Sequence, residues 1–539
     1  MPILSRLSIL TTALFTTAAT AGTWTVETLV PPAPLHGANG MQFDREGQLI
    51  GGSMMSGTLF RVDRSTGAVQ TLVEAPRGVA DDMAIGPDGT IVWTSPPLGT
   101  ISMQRPGGRI ETLARGLPFI NSIYFAPDGR LFAAAVSETL GNLYEIDMSG
   151  HEAPRVIVKD LPGLNGFEIT RDNILYGPLM YTGQIIRVDL ATGAVTEVAR
   201  GFQRPTAVNL DSKGNLYVVD YFTGELTRVD PATGRKQRIA KTDPPIDNLA
   251  ISADDLVYVS HPCTGGIEEI NPVTGKVRTV AAGSIGWPGG GVMVREHGRE
   301  QLLIPGLLCN NTIDPDTGAV TRLPRQGDTM WSGWIDRRGD TVVLSSFAFG
   351  QVQWLNARTG KPIRTLTGFK APYAVKIMPD DSVLLAEQGT GRILRLRSPF
   401  REPQVVASGL GGPLAIVVDG AVDGKELIVS EADAGIVSRI VIATGARTVL
   451  RDGLRQPEGL AQLRDGRIAV AEVGAKRLLA IGADGRGEEV IATDLPIGLP
   501  PFMGPPKTFI PTGVVVGADG RIFVTSDVNH TVLRITPRT

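Results

Sequence analysis

Side chains with oxygen atoms recur at one position of a repeated pattern in the first half of this 539-residue chain. Each lies eight residues before a residue that marks a turn, and an apolar strand pattern fills the space between. The six residues are Asn39, Asp81, Asn121, Asn165, Thr206 and Asp247. Oxygen ligands suit a hard cation such as Ca²⁺, which takes about six to eight of them. If these side chains converge, they predict a metal site, with Asn248 as a further ligand; taken singly, they are ordinary turn formers.

Residues that could donate or accept a proton lie close in sequence to these six residues. The stretch PIDNLAISADDLVYVSHP, from Pro245, predicts a hairpin whose two strand ends bring Asp247 and His261 to the same edge. His36 lies three residues before Asn39 on the incoming loop. A histidine near its ordinary pKa can act as a general base. His261, His36 and Asp247 are therefore the candidate catalytic residues, although a turn or surface role is an equal alternative for His36.

The elements that must position these residues repeat about every 40 to 45 residues. GMQFDREGQLIGG, from Gly40, SIYFAPDGRLFAA, from Ser122, and GVVVGADGRIFVT, from Gly513, show the unit of strand, turn and strand. Its turn markers are Gly47, Gly89, Gly129, Asn173, Gly214, Asp255, Gly298, Gly339, Asp381, Gly424, Gly466 and Gly520. Four short strands per unit are typical of a β-propeller blade. The sequence predicts an all-β protein of twelve four-stranded blades.

Twelve blades exceed the usual four to eight of one ring, so we expect two six-bladed propellers rather than a single ring of twelve. The first would span residues 35–288 and the second residues 289–539. Residues 22–34 supply a lone strand, TWTVETLV, which we expect to complete the last blade and remove an exposed edge. Residues 1–21 resemble a secretory signal peptide, which predicts a secreted or periplasmic protein.

The second half of the chain differs at the positions that correspond to the oxygen-bearing ring. These are Gly290, Trp331 or Ser332, Tyr373, Leu414, Glu458 and Thr512. Most of them are apolar or small. The contrast places the predicted site in the first propeller and gives the second the role of a scaffold or lid.

The composition indicates which classes of binding partner are unlikely. The net charge is −3, from 52 basic and 55 acidic residues, and no basic stripe with interleaved aromatic residues occurs, which argues against nucleic acid. Beyond the leader, no apolar run is long enough to span a membrane. Cys263 and Cys309 either form one disulfide or remain two buried thiols. The oligomeric state is left open.

Two segments carry a family resemblance. Asn165-Gly166-Phe167 and Asp247-Asn248-Leu249, each followed by an alternating strand, resemble the calcium-ligand strands of the senescence marker protein/gluconolactonase family and the related paraoxonases. The resemblance covers the first propeller and implies a calcium-dependent six-bladed propeller. It departs at Asn39, where the family typically has glutamate, and no match to the paraoxonase histidine pair is found.

These residues and the resemblance together predict an exported hydrolase of lactones or esters that uses Ca²⁺ or another divalent cation. Asn39, Asp81, Asn121, Asn165, Asp247 and Asn248 would hold the metal, and the partner would be a small-molecule substrate. Two alternatives stay open. One is a non-enzymatic binding propeller of the NHL type with a structural ion, and the other is a lyase similar to the propeller enzymes that inactivate streptogramins.

Overall fold

The computed structural model describes residues 24–139, 141–323, 331–398, 402–419, 424–499 and 508–538. Within these ranges the chain forms 48 strands in twelve four-stranded antiparallel sheets. The predicted all-β fold of twelve blades is confirmed. Helix is limited there to two short 3-10 turns, Gln388–Thr390 and Val473–Ala475, and none of the described helices is long and apolar enough to cross a membrane. The predicted signal peptide lies outside the described residues.

The first propeller is built from six blades, each of which pairs its four strands in chain order. Its strands are β2 (Met41–Phe43), β3 (Leu49–Ser53), β4 (Thr58–Val62) and β5 (Val69–Val73) in blade 1; β6 (Met83–Ile85), β7 (Ile91–Ser95), β8 (Thr100–Gln104) and β9 (Ile110–Ala114) in blade 2; β10 (Ile120–Phe125), β11 (Leu131–Ala135), β12 (Leu143–Ile146) and β13 (Arg155–Val158) in blade 3; β14 (Glu168–Ile169), β15 (Ile174–Leu179), β16 (Gln184–Asp189) and β17 (Val195–Arg200) in blade 4; β18 (Pro205–Leu210), β19 (Leu216–Asp220), β20 (Glu225–Val229) and β21 (Lys236–Lys241) in blade 5; β22 (Leu249–Ile251), β23 (Val257–His261), β24 (Gly266–Ile270) and β25 (Val277–Ala281) in blade 6.

The second propeller repeats this arrangement, and its last sheet takes its fourth strand from the beginning of the chain. Its strands are β26 (Val292–Glu296), β27 (Arg299–Ile304), β28 (Asn311–Ile313) and β29 (Val320–Arg322) in blade 7; β30 (Ser332–Arg338), β31 (Thr341–Ser346), β32 (Gln351–Asn356) and β33 (Pro362–Thr367) in blade 8; β34 (Pro372–Ile377), β35 (Val383–Glu387), β36 (Arg392–Leu396) and β37 (Gln404–Ala407) in blade 9; β38 (Pro413–Val418), β39 (Glu426–Glu431), β40 (Ile436–Val441) and β41 (Arg447–Arg451) in blade 10; β42 (Pro457–Gln462), β43 (Ile468–Glu472), β44 (Arg477–Ile481) and β45 (Glu488–Ala492) in blade 11; β46 (Val514–Val516), β47 (Ile522–Ser526), β48 (Thr531–Pro537) and β1 (Trp24–Val30) in blade 12.

The turn between the first two strands of every blade explains the repeated Gly, Asn and Asp. All twelve marker residues have a positive φ, from 58° at Asp255 and Gly339 to 89° at Gly129 and Gly520. Glycine adopts this left-handed region without a steric penalty, and Asn and Asp tolerate it better than other residues. The turns therefore fix the length and register of each hairpin.

The two rings close separately. The first strand of blade 1, β2, packs against β6 on one side and β22 of blade 6 on the other. In the second ring, β26 packs against β30 and β46. Leu49 and Phe60 of blade 1 share a buried cluster with Tyr258 and Ile267 of blade 6. The first ring closes through this packing and through polar contacts such as the Arg64–Asp254 ion pair between blades 1 and 6, whereas in the second ring β1 pairs antiparallel with β48.

The two propellers face each other through their upper faces, where the first strand of each blade begins. Buried apolar residues from both sides form one cluster, which includes Met55 of the first propeller, Trp287 of the connecting segment and Phe347 and Phe509 of the second. A disulfide joins Cys263, beside blade 6, to Cys309, beside blade 7, with their Cα atoms 5.7 Å apart. The bond decides between the two cysteine alternatives. A cavity lined by residues of both propellers lies between the upper faces.

Candidate functional site

The oxygen-bearing ring lies on the floor of this cavity. Asn39, Asp81, Asn121, Asn165, Thr206 and Asp247 all line a space of about 710 Å³ at the upper end of the first propeller axis. Each lies just before the first strand of its blade or is the second residue of that strand, so the six-fold arrangement of blades brings them together. The convergence expected from the eight-residue spacing is found.

Hydrogen bonds join the ring residues across blades. Asn39 Nδ2 of blade 1 donates to Asp81 Oδ1 of blade 2 at 2.9 Å, and the side chain of Asn121 also hydrogen-bonds to Asp81. Main-chain bonds fix the same region, since Gly40 N donates to Asp81 O at 2.8 Å. A Cβ atom on Gly40 would lie 2.1 Å from Asp82 Oδ1, so only glycine allows this close approach.

Two ring members differ in how free their oxygen atoms are. Asn165 Oδ1 already accepts hydrogen bonds from Ser122 Oγ at 2.8 Å and from Gly166 N at 2.9 Å. Thr206 is only 1% exposed, and its Oγ1 has no hydrogen-bond partner among the described residues. A buried hydroxyl without a partner costs free energy, which a ligand could recover. Thr206 Oγ1 therefore retains a hydrogen-bonding capacity that Asn165 Oδ1 has already used, although the hydroxyl oxygen itself is buried.

The carboxylates of the ring are held in an environment that disfavours their charge. Burial raises the pKa of Asp81 well above its ordinary value, and the nearby Asp247 and Asp82 raise it further. Burial also raises the pKa of Asp247 to about 6. Burial therefore favours the protonated form of both carboxyls relative to free aspartic acid, and Asp247, with a pKa of about 6, is mostly ionised at neutral pH. A cation between them would favour the ionised form of both.

Asn248 occupies a different place from the one predicted. It lies with Asp82 in the central channel of the first propeller, a separate space of about 170 Å³. Its Oδ1 accepts a 2.9 Å hydrogen bond from Leu249 N. Successive residues of an extended segment point in opposite directions, so Asp247 and Asn248 cannot both face the cavity. Asn248 is removed from the set of ring ligands.

The two candidate histidines are not brought to the cavity either. His261 Nε2 lies 3.0 Å from Glu268 Oε2 of the neighbouring strand β24, and the ring is buried within blade 6. His36 stacks on His530 of blade 12, with ring centroids 4.0 Å apart, and lines another space of about 570 Å³. Burial lowers the pKa of His36 to about 4. The structure leaves Asp247 as the predicted catalytic residue that lines the cavity.

The walls of the cavity are largely apolar and come from both propellers. Met54, Phe119, Val136 and Met180 belong to the first, and Leu308, Trp331 and Phe349 to the second. Phe119 and Phe349 are 53% and 51% exposed. Met180 lies at a strand end that the sequence places near the mouth, and Trp331 at a position equivalent to the ring, but the sequence did not indicate that loops of both propellers meet in one cavity. Tyr181 and Arg204 also line the cavity.

An acidic residue at the end of the second strand recurs in several blades and has a structural role. Asp220 Oδ2 accepts from Gln203 N at 2.7 Å, and Glu387 Oε1 accepts from Lys370 N at 2.9 Å. Glu431, Glu472 and Asp527 accept main-chain N–H groups in the same way. These carboxylates tie the preceding loop to the blade and do not belong to the site.

The ring residues fit a hard cation in donor type. Asp81, Asp247, Asn39 and Thr206 supply carboxylate, amide and hydroxyl oxygens, which Ca²⁺ prefers. Within the described ranges, no group of three His, Cys, Asp or Glu side chains is placed to hold a metal ion. A cation at this ring would therefore depend on the amide and hydroxyl oxygens as well as on the two carboxylates.

Comparisons with known proteins show a similarity of fold only. No protein-family model and no curated protein sequence matches the chain. Among solved structures it is similar to a chain of a nidogen/laminin complex, with 21% identity, a TM-score of 0.36 and coverage of 40% of this chain and 84% of that one. It is also similar to streptogramin B lyase, with 13% identity, a TM-score of 0.32 and coverage of 62% and 93%. A third is the extracellular domain of a protein assigned as a one-component system from B. thetaiotaomicron, with 12% identity, a TM-score of 0.32 and coverage of 96% and 82%. These values are too low to support an inference about site or activity.

Proposed function

We propose that the protein is an exported, metal-dependent hydrolase of lactones or esters whose site is the ring of the first propeller. The observation that carries this proposal is the convergence of two carboxylates, the buried Asp81 and the partly buried Asp247, on the floor of a cavity of about 710 Å³. Such a cavity has the size of a small-molecule site. Carboxylates with raised pKa values in a cavity are typical of functional sites.

Different residues of the ring would bind the cation and accept the proton. Asp81, Asn39 and Thr206 would hold the cation together with Asp247, and a bound Ca²⁺ supplies the positive charge that polarises a carbonyl oxygen. Asp247, ionised at neutral pH, can accept a proton from water as the water oxygen attacks the acyl carbon. The same proton can pass to the alcohol oxygen that leaves. The apolar walls would hold the rest of the substrate and exclude water.

The test is a screen of lactones and 4-nitrophenyl esters with the native protein, with and without EDTA, followed by the Asp247→Asn variant. Asp254→Asn is the matched control, because Asp254 is an exposed acid in the same blade, paired with Arg64. We expect chelation and Asp247→Asn to abolish turnover and Asp254→Asn to leave it unchanged. Full activity of Asp247→Asn would contradict the proposal.

One observation favours a second function, that of a binding propeller with a structural ion. The described lining of the cavity contains no His, Lys or Cys, so its candidate general bases are limited to carboxylates and tyrosines. Exposed aromatic rings such as Phe119 and Phe349 suit ligand binding. A metal-loaded protein that hydrolyses no member of the screen, yet binds a small molecule in this cavity, would establish this alternative.

A further inference from the structure

Arg204 is the only cationic side chain among the described residues that line the cavity. It immediately precedes β18 of blade 5 and lies two residues from Thr206 of the ring. Its main-chain N donates to Asp220 Oδ2 at 3.2 Å, and the neighbouring Gln203 N donates to the same oxygen at 2.7 Å. The carboxylate of Asp220 thus holds the backbone from which the Arg204 side chain extends.

Two aromatic rings hold the guanidinium group. Arg204 Cζ lies over the Tyr181 ring at 5.3 Å from its centroid and over the Phe222 ring at 4.9 Å. Contacts of this kind stabilise a cation through the faces of the rings and restrict its rotamers. They leave the N–H groups of the guanidinium as hydrogen-bond donors. The side chain is therefore ordered before any ligand binds.

The charge of Arg204 is not neutralised within the described chain. No carboxylate there forms an ion pair with it, and no side-chain hydrogen bond of Arg204 is formed. Glu138, the other charged residue on the wall, is exposed at the cavity rim, and the ring carboxylates belong to the floor. An ordered cation without a partner, in a concave and mostly apolar site, is suited to recognise an anionic group of a ligand.

We propose that Arg204 binds a carboxylate carried by the ligand. The ligand class is then an ester or lactone that bears a free carboxylate, with an apolar segment that contacts the cavity walls. A carboxylate matches the bidentate fork of a single guanidinium, whereas a phosphate monoester carries nearly two charges and no second cation lines the described wall. The reacting end of this ligand rests on the proposed hydrolase function, but the recognition of the carboxylate does not.

The experiment measures binding rather than turnover. Isothermal titration calorimetry at pH 8 compares 4-phenylbutanoate with 4-phenylbutanamide, which share an apolar segment and differ in charge. The protein is the full chain in the presence of EDTA, so that a cation at the ring does not attract the carboxylate. The variants are Arg204→Gln, Arg204→Lys and the control Arg228→Gln, in which the lost guanidinium contacts Gln237 outside the cavity. Melting temperatures confirm that each variant is folded.

We expect the native protein and Arg228→Gln to bind the carboxylate about tenfold more tightly than the amide. Arg204→Gln should lose this preference while it binds the amide as before, and Arg204→Lys should retain only part of it. Equal affinities of both probes for the native protein, binding of neither, or an unchanged preference in Arg204→Gln would overturn the proposal. If the protein hydrolyses no ester but still prefers the carboxylate probe, the proposed hydrolase function is rejected and the role of Arg204 stands.

Discussion

Asn39 Nδ2 of blade 1 donates a 2.9 Å hydrogen bond to Asp81 Oδ1 of blade 2, and so joins two blades at the floor of the cavity. Asp81 is also surrounded by the charges of Asp82 and Asp247, which disfavour its ionised form. The amide of Asn39 compensates only part of this cost. A positive charge beside Asp81 would lower this cost.

Replacement of Asp247 by asparagine should stabilise the metal-free protein at high pH. Burial raises the pKa of this carboxyl from an ordinary value of 3.8 to about 6, so the folded state holds the proton more tightly than the unfolded state. Below pH 3.8 the charge makes no difference to stability; between 3.8 and 6 stability falls as pH rises, and above pH 6 the full penalty is present. A shift of about two pKa units corresponds to about 3 kcal/mol.

Urea denaturation of Asp247→Asn and native protein with EDTA, at pH 4 and pH 8, measures this difference in the free energy of unfolding. The Asp254→Asn control should show no gain at pH 8, because that carboxylate is exposed and paired with Arg64. A larger loss of stability in Asp247→Asn at pH 8 than at pH 4 would show that the carboxylate is not penalised in the folded state.

Calcium affinity should fall as the solution becomes more acidic. Asp247 has a pKa of about 6 and that of Asp81 is raised by burial, so metal binding must displace protons from the ring. We expect a dissociation constant that rises by up to about tenfold per pH unit for each displaced proton between pH 7 and pH 5. Calorimetric titrations in two buffers of different ionisation enthalpy would measure the protons released. Equal affinity at pH 5 and pH 8 would be incompatible with these carboxylates as ligands.

The repeated blade was predictable because its cause is local. The twelve turn markers depend on backbone conformation alone, and every one of them adopts a positive φ. The direction of a side chain near a strand end was harder to predict from the sequence. Asn248 and His261 share a hairpin with Asp247, yet the alternation of the strands turns Asn248 into the channel and His261 toward Glu268.

The other half of the site depends on contacts between distant loops. Trp331 and Phe349 reach the cavity only because the second propeller packs face to face with the first. The repeat identifies Trp331 as equivalent to a ring position, but it does not indicate that this residue and Phe349 face the first propeller. Arg204 was likewise inconspicuous, since its role depends on the rings of Tyr181 and Phe222 beside it.

Phe509 should contribute strongly to the contact between the propellers. Its ring lies 5.7 Å from that of Trp287 and 5.5 Å from those of Trp331 and Phe347, and the residue is 5% exposed. Phe509→Ala should reduce the free energy of unfolding by about 3–5 kcal/mol, while Phe509→Leu, which fills most of the space, should cost less. Urea denaturation followed by tryptophan fluorescence measures both. Equal effects of the two substitutions would argue against packing as the cause.

The disulfide should stabilise the same contact. Cys263 and Cys309 are 46 residues apart, and a closed loop of this length corresponds to about 4 kcal/mol in the chain-entropy description. We expect the double variant Cys263→Ser/Cys309→Ser to melt several degrees lower than the native protein. Addition of a reductant should lower the melting temperature of the native protein and leave that of the double variant unchanged. A reductant effect of equal size on both would mean that the bond is not responsible.

Metal content per chain tests the central claim most directly. The native protein, Asp247→Asn and Asp254→Asn are each equilibrated with Ca²⁺, freed of excess ion by gel filtration and measured by inductively coupled plasma mass spectrometry. The ring predicts close to one tightly bound Ca²⁺ in the native protein and in Asp254→Asn, and almost none in Asp247→Asn. Equal calcium in all three, or none in the native protein, would contradict a metal site at the ring.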